Sequence, residues 1–267
     1  MSNNDSIQLD INGATATIIL NRPLSLNAFD STMSSGLRDI TEKLETDETI
    51  RVVVLRGAGE HFMAGGDVKW FQTVLNNPDK ERRHILERPL AEVHASIIRL
   101  RRMAKPVVAS VQGAVAGFGL SLMSACDFAI AADNSYFTLA YCHIGATPDG
   151  GATYALPRLV GIKQAMEIAL LGDRFDACRA LELGLINRVV PKVELATETQ
   201  KLVARLAQGP TAAYGRTKRL INDSLNHSLA EQLLAEQECF VASSATADFA
   251  EGVNAFVAKR KPKFIGS

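Results

Sequence analysis

A chain of 267 residues is long enough for a sizeable core, in one large α/β domain or two small ones. Hydrophobic residues at 47% and charged residues at 22% give the balance of an ordinary soluble protein. The 29 Lys and Arg equal the 29 Asp and Glu, so no global field draws the chain to nucleic acid or to a membrane. Cys126, Cys142, Cys178 and Cys239 are scattered, with no C-x-x-C pair and no metal-like His/Cys cluster. Their apolar neighbours suggest reduced core thiols and a cytoplasmic location. The opening Ser2-Asn3-Asn4-Asp5-Ser6 is polar and unlike a signal peptide. No apolar run reaches the roughly 18 residues of a membrane span.

Residues 7–11 and 14–20 alternate around Asn12-Gly13, which predicts a hairpin. Asp30 or Ser31 can cap a helix with Met33, Leu37, Ile40 and Leu44 on its inner face. Residues 51–56 read as a buried strand and 68–75 as a helix. The polar stretch 76–83 reads as an exposed, mobile segment. Pro89 is expected to break the following helix, which restarts with Leu90, Val93, Ile97 and Ile98. The β-branched run 107–111, a short helix from about Leu120, and strands at 128–131 and 136–139 follow. Strands alternating with helices to about residue 140 argue for parallel units joined by right-handed crossovers. From Pro148 the pattern becomes mostly helical, at 165–170, 178–183, 194–206, 211–225, 229–244 and 248–260, with one strand at 186–190. The last of these helices sets Phe249, Val253, Phe256 and Val257 on one face.

Two strand–glycine–helix junctions stand out. One is Phe62-Met63-Ala64-Gly65-Gly66-Asp67, after the strand Val52-Val53-Val54-Leu55. The other is Gly117-Phe118-Gly119, after Gln112-Gly113. Each brings backbone N–H groups to a point where few side chains intervene. Converging on one oxygen, two such donors make an oxyanion hole.

With Asn21-Arg22-Pro23, Leu26-Asn27-Ala28, Lys105-Pro106, Asp127, residues 145–151, Leu156-Pro157-Arg158, Gly161 and Gly184-Leu185, these pieces resemble the crotonase, or enoyl-CoA hydratase/isomerase, superfamily over nearly the whole chain. The resemblance implies an α/β fold: a crotonase-like ββα spiral over residues 1–200 that binds acyl-CoA, and a C-terminal helical trimerisation region over 201–267. It implies an acyl-CoA thioester substrate, no cofactor beyond its CoA moiety, no metal, and a homotrimer or dimer of trimers. It places the oxyanion donors at the backbone N–H of Gly66 and Phe118, with Ala64 and Gly117 beside them at the substrate, and the stretch 76–83 in the wall of the acyl pocket.

The sequence departs from the family's hydratases at both acid/base positions. The two glutamates that add water align with Ser121 and Tyr141. Ser121 lies one helical turn after Phe118, as a participant or as a small residue bonded to its own helix. Tyr141 reads as a pocket-lining aromatic. Asp149 is the remaining carboxylate, either a helix cap or a lone acid/base as in superfamily isomerases. His94 is either a half-buried structural histidine or, with Asp149, the base of a dehalogenase-like pair; His61 is expected to be exposed. Lys69 is placed to meet a CoA phosphate, and Lys263 and Phe264 either reach the CoA of a neighbouring subunit or belong to a solvated tail. Met63 suits an adenine face or the core. Double-bond isomerisation leads these readings, ahead of hydration, aromatic dehalogenation and a non-catalytic acyl-CoA- or RNA-binding relative.

Overall fold

The computed structural model describes residues 5–267. Strands β1 (Ile7–Asn12) and β2 (Thr15–Leu20) form an antiparallel hairpin in register Asn12↔Thr15. Its turn is Gly13-Ala14, one residue later than expected, because Gly13 takes the left-handed φ of 56°. Helix α1 (Ser31–Thr46) starts at Asp30, whose carboxylate accepts the Met33 N–H at 2.8 Å. Then come β3 (Val52–Gly57), α2 (Val68–Val74), α3 (Asp79–Arg102), β4 (Val107–Val111), β5 (Ala114–Ala116), α4 (Phe118–Ser124), β6 (Phe128–Ala132) and β7 (Tyr136–Thr138). Beyond them lie α5 (Ala152–Val160), α6 (Ile162–Leu171), β8 (Phe175–Asp176), α7 (Ala177–Glu182), β9 (Arg188–Val190) and α8 (Leu195–Ala207). Helices α9 (Thr211–Asp223), α10 (Leu229–Ser244) and α11 (Ala247–Val257) end the chain.

One sheet runs β1-β2-β3-β4-β6-β9, parallel from β2 onward, and a second runs β5-β7-β8. The chain passes from a strand of the long sheet to one of the short sheet and then into a helix, as β4-β5-α4 does. That repeat is the ββα turn of a crotonase-like fold. Period-two alternation divides the long sheet between two cores. Val53 and Leu55 join the main core, while Val52, Val54 and Val108 pack against Val203 and Leu206 of α8.

The stretch 76–83 is mostly exposed, as expected, but from Asp79 it is helical, and Pro89 does not break the helix. Helix α3 is continuous from Asp79 through Pro89 to Arg102. Its first turn carries Asp79 and Glu81 near the positive helix end, and Arg82 Nε donates to the Asn77 carbonyl at 2.6 Å. Pro89 removes one N–H, but its own carbonyl accepts the Ser34 hydroxyl at 2.8 Å, tying α3 to α1.

Candidate active site

The two glycine turns meet. A Cβ on Gly117 would lie 3.3 Å from the Gly65 α-carbon, and one on Gly65 would lie 3.3 Å from the Ala116 carbonyl oxygen. Both residues have positive φ, 93° at Gly65 and 50° at Gly117. Phe29 donates its N–H to the Gly65 carbonyl and accepts the Asp67 N–H, which turns the Gly66 N–H to the opposite side. The Phe118 N–H opens α4 and so has no partner within that helix.

The Asn-Arg-Pro motif braces the first turn. Arg22 pairs with Asp67 at 2.8 Å and Asp30 at 3.3 Å, and Asp67 caps α2 by accepting the Lys69 and Trp70 N–H groups. Burial pushes the Asp67 carboxyl up, but Arg22 and the two N–H donors outweigh it and hold the group below its ordinary value. Asn27 is fully buried: its side chain accepts the Arg22 N–H and donates to the Ala58 and His61 carbonyls. His61 is half-buried rather than exposed. Its Nδ1 accepts the Ala114 N–H at 3.0 Å, and the ring lies where a Cβ on Gly113 would be.

Both turns border a cleft of about 790 Å³. Gly66, Lys69, Phe118, Tyr141 and Asp149 line it, and Asp149 is the one carboxylate among its lining residues. Ala64 and Gly117 stand immediately behind the donors, where Ala64 N–H bonds to the Leu26 carbonyl and Gly117 N–H to that of Thr138. Sequence reasoning missed Phe29, Trp70, Phe71 and Leu86, which also line the cleft, whereas Arg82 lines it from the stretch 76–83 that the resemblance places in the pocket wall. Phe29 packs against Phe118 with ring centroids 4.6 Å apart and the planes tilted by 52°, and its only sequence signal is its place just before the Asp30 cap.

Asp149 does not cap a helix. Gly151 opens α5 without a side-chain cap, and the Asp149 carboxylate instead accepts the Tyr141 hydroxyl. Burial pushes the Asp149 carboxyl above the usual range, and the Tyr141 bond, His94 and its own backbone draw it partway back. Burial and the neighbouring carboxylate likewise raise the Tyr141 phenol. Ser121 is 1% exposed and is not bonded to its own helix. Its Oγ makes no hydrogen bond within bonding geometry, yet lies near enough to the Tyr141 hydroxyl to oppose that rise slightly. His94 is exposed on α3 and stands at the rear, where Nε2 accepts the Gly150 N–H at 3.4 Å. A Cβ on Gly150 would strike the Phe118 ring at 2.5 Å, so only glycine fits there.

Met63 is wholly buried against Gly119 and belongs to the core, not to a ligand face. Lys263 and Phe264 lie away from their own chain's cleft. The Lys263 N–H donates to Glu251, the Phe264 carbonyl accepts from Arg51, and the Phe264 ring packs over Gly252 of α11. Among the described residues, no His/Cys/Asp/Glu group could hold a metal ion, and no helix is long and apolar enough to cross a membrane.

A family model described as "Enoyl-CoA hydratase/isomerase" matches residues 10–267. The chain is 38% identical to the 1,2-epoxyphenylacetyl-CoA isomerase of Escherichia coli K12, covering 94% of each. It is 32% identical to the trans-2-decenoyl-[acyl-carrier-protein] isomerase of Streptococcus mutans, over 97% of this chain and 98% of that protein. It is 35% identical to a "Probable enoyl-CoA hydratase" of Rhodobacter capsulatus, over 98% of each. The solved structure of an enoyl-CoA hydratase from Polaromonas sp. JS666 superposes with a TM-score of 0.90 at 31% identity, over 97% of this chain and 99% of the other. A glycine-built cleft, a matching fold and a full-length family match lead to one placement: the chain belongs to the enoyl-CoA hydratase/isomerase family of the crotonase superfamily.

Proposed function

We propose that this enzyme isomerises a 3-enoyl thioester to the 2-enoyl form, with Asp149 as its single acid/base. The carrying observation is that Asp149 is the one carboxylate lining the cleft. In this reading the Gly66 and Phe118 N–H groups bind the thioester oxygen. Asp149 removes a proton from C2, the two donors stabilise the dienolate, and the same carboxyl returns the proton at C4. One carboxyl suffices because one proton leaves and one comes back. Hydration also needs water to be activated, and Ser121 and Tyr141 supply no second carboxylate for that. The relative named as a trans-2-decenoyl-[acyl-carrier-protein] isomerase supports this choice, the one named as a 1,2-epoxyphenylacetyl-CoA isomerase acts on an epoxide rather than an enoyl thioester, and a relative named as a hydratase keeps hydration as the alternative.

The exposed Lys69 at the cleft mouth suits a CoA phosphate, with Lys263 and Phe264 presented by a neighbouring copy in a trimer or dimer of trimers. The dehalogenase reading is weaker, because the His94 Nε2 accepts the Gly150 N–H and the residue bonded to Asp149 is a tyrosine. The test incubates 3-enoyl-CoA, 2-enoyl-CoA and a halogenated aromatic acyl-CoA separately with the enzyme and identifies the products. Asp149→Asn is expected to keep CoA affinity while losing roughly 10²–10⁴-fold in isomerase activity. Rapid hydration of 2-enoyl-CoA, with Asp149→Asn near wild type, would refute the assignment.

A further inference from the structure

We infer that Tyr141 is a positioning residue for Asp149: its hydroxyl occupies Oδ1 and leaves Oδ2 as the oxygen that carries the proton. The inference rests on the isomerase reading for its chemistry, but its geometry stands apart from it. A carboxylate free to rotate would present either oxygen to the substrate. One that accepts a charge-assisted bond on Oδ1 is fixed in orientation and offers a single oxygen to the cleft. A proton taken on Oδ2 therefore leaves from Oδ2, on the same side of the acyl group. Tyr141 keeps its own proton throughout.

The backbone around Tyr141 is built to hold it there. It opens a 3-10 turn, Tyr141–Ile144, between Ala140 at φ 53° and Gly145 at φ 66°. Left-handed geometry at a non-glycine residue is unfavourable and persists where the surroundings over-determine it. The Tyr141 N–H donates to the Leu139 carbonyl at 2.7 Å, and its own carbonyl accepts the Ala146 N–H at 3.1 Å, so the turn is clamped on both sides. The groups acting on Asp149 are Tyr141 from this turn and His94 from α3, Ser121 of α4 lies beside the Tyr141 hydroxyl, and Lys69 of α2 and Arg82 of α3 line the same cleft.

The test reads the Asp149 carboxyl directly, by ¹³C NMR titration, so that it needs no turnover. Removing a donor that favours the ionised form, in Tyr141→Phe, should move the Asp149 midpoint up by roughly one pH unit. A more acidic donor, 3-fluorotyrosine incorporated at position 141, should move it down, and that near-isosteric change serves even if Tyr141→Phe folds poorly. In the isomerase assay Tyr141→Phe should lose on the order of 10- to 100-fold in kcat with KM within about twofold, as misplacement of a reacting group does. A midpoint unmoved by both changes would overturn the inference. Failure of the wild type to isomerise any enoyl-CoA would instead overturn the parent reading, while leaving the titration result intact.

Discussion

Burial holds the Asp149 carboxyl above its ordinary value of 3.8, so the folded chain keeps a proton over a pH interval in which the unfolded chain has released it. Folding therefore becomes less favourable as pH rises through that interval, and the ionised group is a net burden at neutral pH. Asparagine has no such titration and its side-chain oxygen can still accept the Tyr141 hydroxyl. Asp149→Asn is expected to melt a few degrees higher than wild type at pH 7, with the gap closing as pH falls below the ordinary value. Melting curves at several pH values check this; a lower melting temperature for the variant at pH 7 would contradict it. Position and chemical type made Asp149 a candidate in the sequence. Its bond to Tyr141 was not legible, because the two residues meet only through a turn whose left-handed Ala140 has no composition signal. Ser121 shows the same limit: a serine on a helix gives no hint that packing will deny it a partner.

Among the elements, α1 depends on a residue far along the chain. Lys105 is 4% exposed, and its ammonium donates to the Leu44 and Asp47 carbonyls, each at 2.7 Å, at the end of α1. A cation there satisfies carbonyls that the helix leaves open and complements its dipole. Burial lowers the Lys105 pKa, with Asp47 and Glu48 opposing the shift. Lys105→Met keeps most of the stem but deletes both bonds, and should cost about 2 kcal/mol. Chemical denaturation would show that as a lower midpoint with an unchanged slope; a midpoint within error of wild type would show that water replaces the ammonium at no cost. The Lys-Pro pair was visible in the sequence, but its purpose was not. Elements with an apolar period, such as α1, were readable, as were the β-branched strands. Helix α3 was misread at its start because residues 76–83 are polar and mostly exposed, and the contacts that hold its first turn are local ones of Arg82 with Asn77 and Asp79 that no apolar period announces. Strands β5 and β8, three and two residues long, were missed because such pairings exist only once the second sheet has assembled.

At the scale of the whole molecule, the C-terminal helices point their apolar residues away from their own chain. On α11, Asp248 and Ala255 are buried, while Phe256 is 86% and Val257 76% exposed. Asp248 binds the Ile265 and Gly266 N–H groups, so the inner face of α11 is spent on anchoring the tail. Leu229, Leu233, Leu234, Phe240 and Val241 extend the exposed surface along α10. Apolar patches of that extent mark interfaces. We propose that they meet other copies of this chain, as a region beginning near residue 201 that is separate from the acyl-CoA-binding core. Light scattering should then give three or six times the 28.8 kDa chain mass, and Phe256→Glu should shift it toward smaller species. A wild-type mass equal to one chain at micromolar concentration would exclude the assembly. The apolar period of these helices was plain in the sequence, but a period cannot say whether its stripe faces the same chain or another.

The contact between Gly65 and Gly117 works as a caliper. Two glycine α-carbons meet between the turns that carry Gly66 and Phe118, so the gap between those two N–H groups is set by missing methyl groups. A dimension set that way cannot be adjusted gradually. The smallest change the genetic code offers at either position is a whole methyl, driven into a backbone already at a φ that side chains resist. Side chains that can be exchanged without moving the jaws lie elsewhere along the cleft, in the helical wall of α2 and α3.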